Sequence, residues 1–134
     1  MAPFQVIFPG NKRVDVRFKD FLIKTDQSKK NEGDETAPEP FALFLASLAS
    51  CAGIYAKSFC DTRDLDTEGM RLELTPFFKK GLKHMEKIEI TLHVNQKFPE
   101  KYIKPVIKAM NACAVKNQLN PDIQADTRVA YLDE

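Results

Sequence analysis

The longest uncharged stretch of the chain, residues 40–56, constrains the fold more than any other feature. Pro40 suits the first turn of a helix, where its missing N–H leaves no hydrogen bond unmade. The residues that follow, up to Cys60, are apolar on nearly every side of a helical projection. A helix of this kind has to be covered all round. The sequence therefore predicts a long, buried central helix, and Ser47 and Ser50 favour this over a membrane span.

Short strands are predicted on both sides of this helix in the sequence. Apolar and polar residues alternate with the two-residue period of half-buried strands over residues 13–25, 70–75 and 88–94. Shorter apolar stretches at 4–8 and 127–132 are also long enough for a strand. The first alternation slips near Lys19-Asp20, which indicates a bulge or a second turn. Residues 79–83 should form the turn between the two middle strands.

A second helix is predicted after Pro99. Its apolar face would consist of Ile103, Val106, Ile107, Met110 and Cys113. Pro105 should kink this helix or split off its first turn, and Asn120-Pro121 should end it.

The resulting order is three strands, a helix, two strands, a helix and a strand. Strands grouped in this way favour an α+β fold with a mixed, largely antiparallel sheet. A length of 134 residues fits a single domain, residues 1–134. Because so few strands have to cover a helix that is apolar all round, we expect a homodimer in which a second copy of the chain helps to cover it. Residues 26–40 have no apolar pattern, and a loop of this length is either mobile or part of the wall of a site.

The charge balance excludes several kinds of partner. With 20 basic and 19 acidic residues, the formal net charge is +1, so we expect no nucleic acid and no membrane surface among the partners. The N-terminus has no signal-peptide pattern, which favours the cytoplasm. His84 and His93 stand alone in the sequence, so no metal and no other cofactor is expected.

Three cysteines carry the most specific chemistry in the sequence. A free cysteine is by default a small buried hydrophobe, and Cys60 is interpreted as structural in this sense. Cys51 lies about three turns into its helix, too far for the helix dipole to lower the pKa of its thiol. A reactive Cys51 would therefore need a nearby cation, for which Arg13 and Arg17 are candidates because guanidinium stays charged in apolar surroundings. Both arginines could equally be solvated on a strand edge.

Two segments resemble the signatures of the OsmC/Ohr family, the osmotically inducible protein C and organic hydroperoxide resistance proteins. Pro40 is followed eleven positions later by Cys51, with FALFLASLAS between them. Cys113-Ala114-Val115 with Leu119 is similar to the second signature of the family, Cys-Pro-Val with a trailing hydrophobe. The order of elements also resembles that of the family over nearly the whole chain.

The resemblance implies a fold, an assembly and a reaction. Members of the family are intertwined dimers with active sites at the subunit interface. In the peroxidases of the family, the first cysteine attacks an organic hydroperoxide and becomes a sulfenic acid, the second closes a disulfide, and a dithiol reduces it. Carried over, Cys51 is peroxidatic and Cys113 resolving, in oxidative-stress defence. The apolar substrate pocket would include Phe41, Phe44 and Phe77, although each is equally explained by core packing.

The chain departs from the family pattern at two places. The peroxidases carry a glutamate directly after the first proline, where this chain has Phe41, and Glu39 before the proline should point elsewhere. Ala114 replaces the proline of the second signature. Two alternatives to the peroxidase therefore stay open: a binding protein for a small apolar or thiol-reactive ligand at the dimer interface, and a structural stress protein with inert thiols.

Overall fold

The computed structural model of the protein describes residues 1–81 and 84–133. Within them the strands are β1 (Gln5–Gly10), β2 (Arg13–Phe18), β3 (Phe21–Ile23), β4 (Arg71–Phe78), β5 (Met85–Val94) and β6 (Gln124–Tyr131). The α-helices are α1 (Pro40–Thr62) and α2 (Ile103–Asn111), and short 3-10 helices cover Lys29–Asn31, Glu100–Tyr102 and Lys116–Gln118. The chain divides into two compact units, Met1–Phe44 and Leu45–Glu134.

The first unit contains an antiparallel sheet with the strand order β1-β2-β3. Phe18 pairs with Phe21 across the turn between β2 and β3, so the predicted second turn at Lys19-Asp20 is confirmed. Lys19 adopts a left-handed conformation with φ of 54° there. Large apolar side chains remain exposed on this sheet, including Phe8 at 77% and Phe21 at 68%.

The loop after β3 is held by two carboxylates. Asp26 is fully buried, and its Oδ2 accepts hydrogen bonds from the N–H and the hydroxyl of Thr36 at 3.0 and 2.6 Å. Glu39 Oε1 accepts one from the N–H of Ser28 at 3.0 Å. A Cβ on Gly33 would lie 2.0 Å from the carbonyl oxygen of Gln27, so only glycine fits at this close approach. Of the two alternatives for residues 26–40, the hydrogen bonds argue against a mobile loop.

The second unit contains a sheet with the order β4-β5-β6. β4 and β5 are antiparallel, while β5 and β6 are parallel. Parallel neighbours require a long crossover connection, and here that connection contains α2. The predicted alternation of β5 is confirmed, because Ile88, Ile90, Leu92 and Val94 are all buried.

The apolar core of this unit lies between the sheet and the two α-helices, each of which buries one face. It combines the buried face of β5 with residues of α1 and α2, namely Leu48, Ala52, Ala56, Phe59, Cys60, Val106 and Met110. On α1, Ile54 and Tyr55 are exposed at 58% and 36%. The long central helix is thus present as predicted, but this one chain covers it on one side only. By length and composition alone α1 could also cross a membrane, a test that core helices of soluble proteins pass too.

Several boundaries differ from the sequence-based expectation. The strands form two separate three-stranded sheets rather than one. The Glu100–Tyr102 turn precedes α2 as the predicted split-off turn, but α2 ends at Asn111, well before Asn120-Pro121. Cys113 therefore lies beyond the helix rather than on its apolar face. Of the predicted turn at 79–83, Leu82 and Lys83 lie outside the described residues.

Candidate active site

The fold of the second unit brings Cys51 and Cys113 together. Cys51 lies in the middle of α1 and is partly exposed, whereas Cys113 is buried in the turn after α2. The two thiols are joined by a hydrogen bond in which Cys113 is the donor and the sulfur of Cys51 the acceptor. Residues that are 62 positions apart in the sequence thus share one site, because the crossover connection between β5 and β6 carries Cys113 to Cys51.

The turn after α2 supplies further donors to both sulfurs. The chain leaves the helix at Ala112 and returns to right-handed helical geometry at Val115, directly before the Lys116–Gln118 turn. This leaves the backbone N–H groups of Ala114 and Val115 directed at the sulfur of Cys51. The N–H of Lys116 donates to the sulfur of Cys113 at 3.4 Å. A sulfur atom surrounded by donors is stabilised in its thiolate form.

These contacts shift the pKa values of the two thiols in opposite directions. Burial raises the pKa of Cys51, but the hydrogen bonds from Cys113, Val115 and Ala114 together outweigh it, so the pKa lies below the ordinary value for a thiol. Burial also raises the pKa of Cys113, and its hydrogen bond to Cys51 raises it further. The lowered pKa favours the thiolate form of Cys51, and the raised pKa favours the protonated form of Cys113.

These hydrogen-bond donors explain how the pKa of Cys51 can be lowered in the middle of a helix. From the sequence, a cation had to lower the pKa of this thiol, since the helix dipole does not reach it. In the structure a neighbouring thiol and two backbone N–H groups lower it. These donors lower the pKa within the second unit, and a further contribution from Arg13 or Arg17 stays a prediction.

Arg13 and Arg17 both lie exposed on β2, in the first unit. Arg13 lines a small pocket of about 140 Å³ together with Asp15, Lys24 and Thr25. Cys51 belongs to the second unit, so the approach of either arginine to its thiol stays a prediction.

The three phenylalanines of the predicted substrate pocket are partly exposed, Phe41 at 46% and Phe44 and Phe77 at 39%. The rings of Phe41 and Phe44 lie 5.7 Å apart at the start of α1. Phe77 lies on β4, with the ammonium of Lys87 4.7 Å from its ring centre. That the three side chains line one pocket stays a prediction.

The surroundings of Glu39 and Cys60 are those of residues that stabilise the fold. Glu39 is engaged by the loop, as expected from its position, and the hydrogen bond from Ser28 lowers the pKa of its carboxyl. Cys60 is completely buried, and burial raises the pKa of its thiol, which agrees with a structural residue. Within residues 1–81 and 84–133, no three His, Cys, Asp or Glu side chains are grouped as metal ligands would be. His93 lies 3.3 Å from Glu73.

The sequence analysis missed three residues beside the thiols. Lys116 is half-buried, and its Nζ donates a hydrogen bond to Asn111 Oδ1 at 2.6 Å. The same oxygen accepts a hydrogen bond from Thr127 Oγ1 at 2.6 Å, which connects the turn to β6. Burial lowers the pKa of Lys116, while the charge of Cys113 acts in the opposite direction. The one sequence feature that could have indicated Lys116 is its position three residues after Cys113.

Comparison with known proteins places this arrangement in a family. The family described as OsmC-like protein matches residues 33–128, which include both cysteines. No curated protein matches the sequence.

Solved structures resemble the whole chain. A candidate osmotic stress induced and detoxification response protein from Psychrobacter arcticus is 23% identical, with a TM-score of 0.82 over 97% of this chain and 96% of that one. An OsmC-like protein from Mycoplasma pneumoniae is 16% identical, with a TM-score of 0.79 over 99% and 98%. An organic hydroperoxide resistance protein from Elizabethkingia anophelis is 13% identical, with a TM-score of 0.69 over 98% of each chain. At these identities the likeness establishes the fold, and the predicted α+β fold is confirmed.

Proposed function

The chain belongs to the OsmC-like protein family, and we propose that it is a thiol peroxidase that reduces organic hydroperoxides. One observation carries the proposal: the thiols of Cys51 and Cys113 are hydrogen-bonded, with a lowered pKa at Cys51 and a raised pKa at Cys113. A peroxidatic thiol has to be ionised near neutral pH, because the thiolate is the nucleophile. A resolving thiol has to be within bonding reach of the first and to stay out of the first step. The lowered pKa of Cys51 and its hydrogen bond with Cys113 support the assignment of these two roles.

The proposed reaction proceeds in three steps. The Cys51 thiolate attacks the outer oxygen of the hydroperoxide, the O–O bond breaks, and the alkoxide leaves as the alcohol after taking up a proton. Cys51 is then a sulfenic acid. The sulfur of Cys113 attacks the sulfur of Cys51, a disulfide forms, and the hydroxyl group leaves as water. A dithiol reductant restores both thiols by exchange. The cycle requires no cofactor.

We also propose that the substrate is apolar and that the protein acts in the cytoplasm in oxidative-stress defence. Partly exposed phenylalanines, Phe41, Phe44 and Phe77, would line the pocket for the organic group of the hydroperoxide. A reducing compartment favours this role, because cysteine pairs there are generally catalytic rather than permanently oxidised. The similar structure from Elizabethkingia anophelis is that of an organic hydroperoxide resistance protein, which supports a substrate of this class.

The same proposal includes a homodimer. Phe8 and Phe21 on the first sheet and Ile54 on α1 are each more than half exposed in the single chain. Exposed apolar surface marks a protein–protein interface when it forms a contiguous patch. A second copy of the chain would cover it and would complete the burial of α1.

The test is intact-mass analysis of the reduced protein before and after one equivalent of cumene hydroperoxide, under non-reducing conditions. We expect the loss of two hydrogens in the wild type, no reaction in Cys51→Ser, and a stable sulfenic acid in Cys113→Ser. Cys60→Ala is the matched control and should behave as the wild type. An unchanged mass after minutes would reject the peroxidase and would favour the alternative, a protein that binds an apolar ligand at the interface without turnover.

A further inference from the structure

We propose that Lys116 makes Cys113 nucleophilic, and that it thereby sets the rate at which the oxidised Cys51 is converted to the disulfide. This inference rests on the proposed peroxidase function for its biological meaning. Its chemistry, attack by Cys113 on a sulfur at Cys51, is independent of the oxidant.

The second step of the proposed reaction has an electrostatic obstacle. Cys113 is only 1% exposed, so forming its thiolate means placing a charge where water does not reach. While Cys51 is a thiolate, its charge and its hydrogen bond both hold the proton on Cys113. Oxidation of Cys51 to a neutral sulfenic acid removes the repelling charge, but the cost of burial remains. A cation close to Cys113 would offset that cost.

Lys116 is in the position to do so. Its backbone N–H contacts the sulfur of Cys113 at 3.4 Å, so the residue touches the reacting atom directly. Its half-buried side chain ends on Asn111, two residues before Cys113, and the charge of Cys113 acts on the pKa of its ammonium. Charges that are partly buried are screened less by salt than exposed ones. The backbone donor therefore contacts the sulfur, and the side-chain charge is held beside the same turn.

The ammonium of Lys116 is held rather than free to swing into solvent. Its Nζ donates to Asn111 Oδ1 at 2.6 Å, and Thr127 Oγ1 donates to the same oxygen at 2.6 Å. Asn111 closes α2 two residues before Cys113, and Thr127 lies on the neighbouring strand β6. Asn111 and Thr127 are thus positioning residues for Lys116.

The step is balanced without a further reactant. The S–H proton of Cys113 is transferred to solvent, and the thiolate that forms beside Lys116 attacks the sulfur of Cys51. The new S–S bond forms as the S–O bond breaks, and the hydroxide takes up a proton to become water. Lys116 keeps its own proton throughout and acts only through its charge and its N–H.

An aromatic disulfide reagent that releases a coloured thiolate tests this without peroxide, in the Cys60→Ala background. The first equivalent released reports attack by Cys51 on the reagent. The second reports attack by Cys113 on the resulting mixed disulfide at Cys51. In Lys116→Met we expect the second phase to slow about tenfold, the effect of one nearby charge on a thiol, while the first phase stays unchanged. Lys116→Arg should restore most of the rate.

Lys108→Met is the matched control, since Lys108 is an exposed lysine on α2, and it should leave both phases as in the wild type. Thr127→Val leaves the lysine in place but frees Asn111, and it should slow the second phase by a smaller factor. An unchanged second phase in Lys116→Met, or an equal slowing of both phases, overturns the inference. A protein that reacts normally in this assay but not with cumene hydroperoxide would instead overturn the proposed peroxidase.

Discussion

The two compact units of the chain bury opposite kinds of side chain. Among the described residues, the buried hydrophobic side chains all belong to the second unit, Leu45–Glu134. The buried polar and charged ones, Asp15, Thr25 and Asp26, all belong to the first unit, Met1–Phe44. The second unit is therefore organised by an apolar core, and the first by hydrogen bonds around a buried carboxylate.

This difference indicates which of the two sheets buries one of its faces within a single chain. A sheet has to bury one face to be stable, and β4-β5-β6 does so against α1 and α2. The sheet β1-β2-β3 instead exposes Phe8 and Phe21. This agrees with the proposed homodimer, in which the second copy would supply the missing cover. Cys51 and Cys113 both lie in the second unit, the one with the apolar core. A site that depends on hydrogen-bond geometry has to be held by rigid elements of this kind.

The largest effect should come from the apolar core. Leu92 lies on the central strand β5 and is 1% exposed, so Leu92→Ala should lower the free energy of unfolding by about 2–5 kcal/mol, as large-to-small core substitutions do. Urea unfolding followed by circular dichroism measures it. Leu22→Ala on β3, where Leu22 is 47% exposed, is the control and should cost far less. Equal losses at the two positions would contradict the contrast between the units.

An intermediate effect on stability is expected from ionisation of the Asp26 carboxyl, and it should depend on pH. Hydrogen bonds from Thr36 lower the pKa of its carboxyl from 3.8 to about 2. Because the pKa is lower in the folded state, the stabilisation is fully present above pH of about 4 and is lost as the pH falls towards 2. The protection factors of the loop amides, measured by hydrogen exchange relative to the intrinsic rate at each pH, should therefore fall over this interval in the wild type.

In Asp26→Asn the same amides should exchange rapidly at neutral pH already and should depend less on acid. Asp34→Asn is the control, since the Asp34 carboxylate is exposed and accepts a hydrogen bond from the Asn11 side chain at 3.3 Å. Loop protection in Asp26→Asn equal to that of the wild type would show that the carboxylate does not hold the first unit together.

The smallest effect on folding should follow from the exposed sheet face. In diluted protein, Phe8→Ser and Phe21→Ser should change the free energy of unfolding by about 0.5 kcal/mol or less, as exposed substitutions generally do. At higher concentration the same variants should self-associate more weakly than the wild type, measured by sedimentation velocity. Lys30→Ser, an exposed polar site in the same unit, should alter neither. A large loss of stability in the diluted variants would mean that the face is already packed within one chain.

The parts of the fold that were predictable are those with a local period. The alternation of Ile88, Ile90, Leu92 and Val94 locates β5 because each second side chain faces the core. The same reasoning extended α2 too far: the apolar spacing continues to Cys113, yet the chain leaves the helix at Ala112. Burial produces the pattern, and a turn can bury a side chain as well as a helix can. The division into two sheets depends on which strands pair, which no local period reveals.

The candidate site was predictable only in part for a similar reason. The two cysteines were found by their resemblance to family signatures, and the structure places them in contact. The groups that lower the pKa of Cys51 include the backbone N–H groups of Ala114 and Val115. Every residue but proline carries such a group, so the side-chain sequence gives no sign of which ones point at a sulfur. The burial of Asp26 was missed too, because a carboxylate in a polar loop is normally solvated.

The parallel pairing of β5 with β6 has a consequence for the newly made chain. The loop that closes when these strands pair contains Cys113, and β6 is synthesised after β5, α2 and both cysteines of the site. Closing so long a loop is entropically costly and therefore late. Until then Cys51 lacks its donors and is an ordinary thiol, mostly protonated at neutral pH. If Cys51 acts as proposed, folding thus activates its thiol, and the newly made chain carries it in a less reactive form.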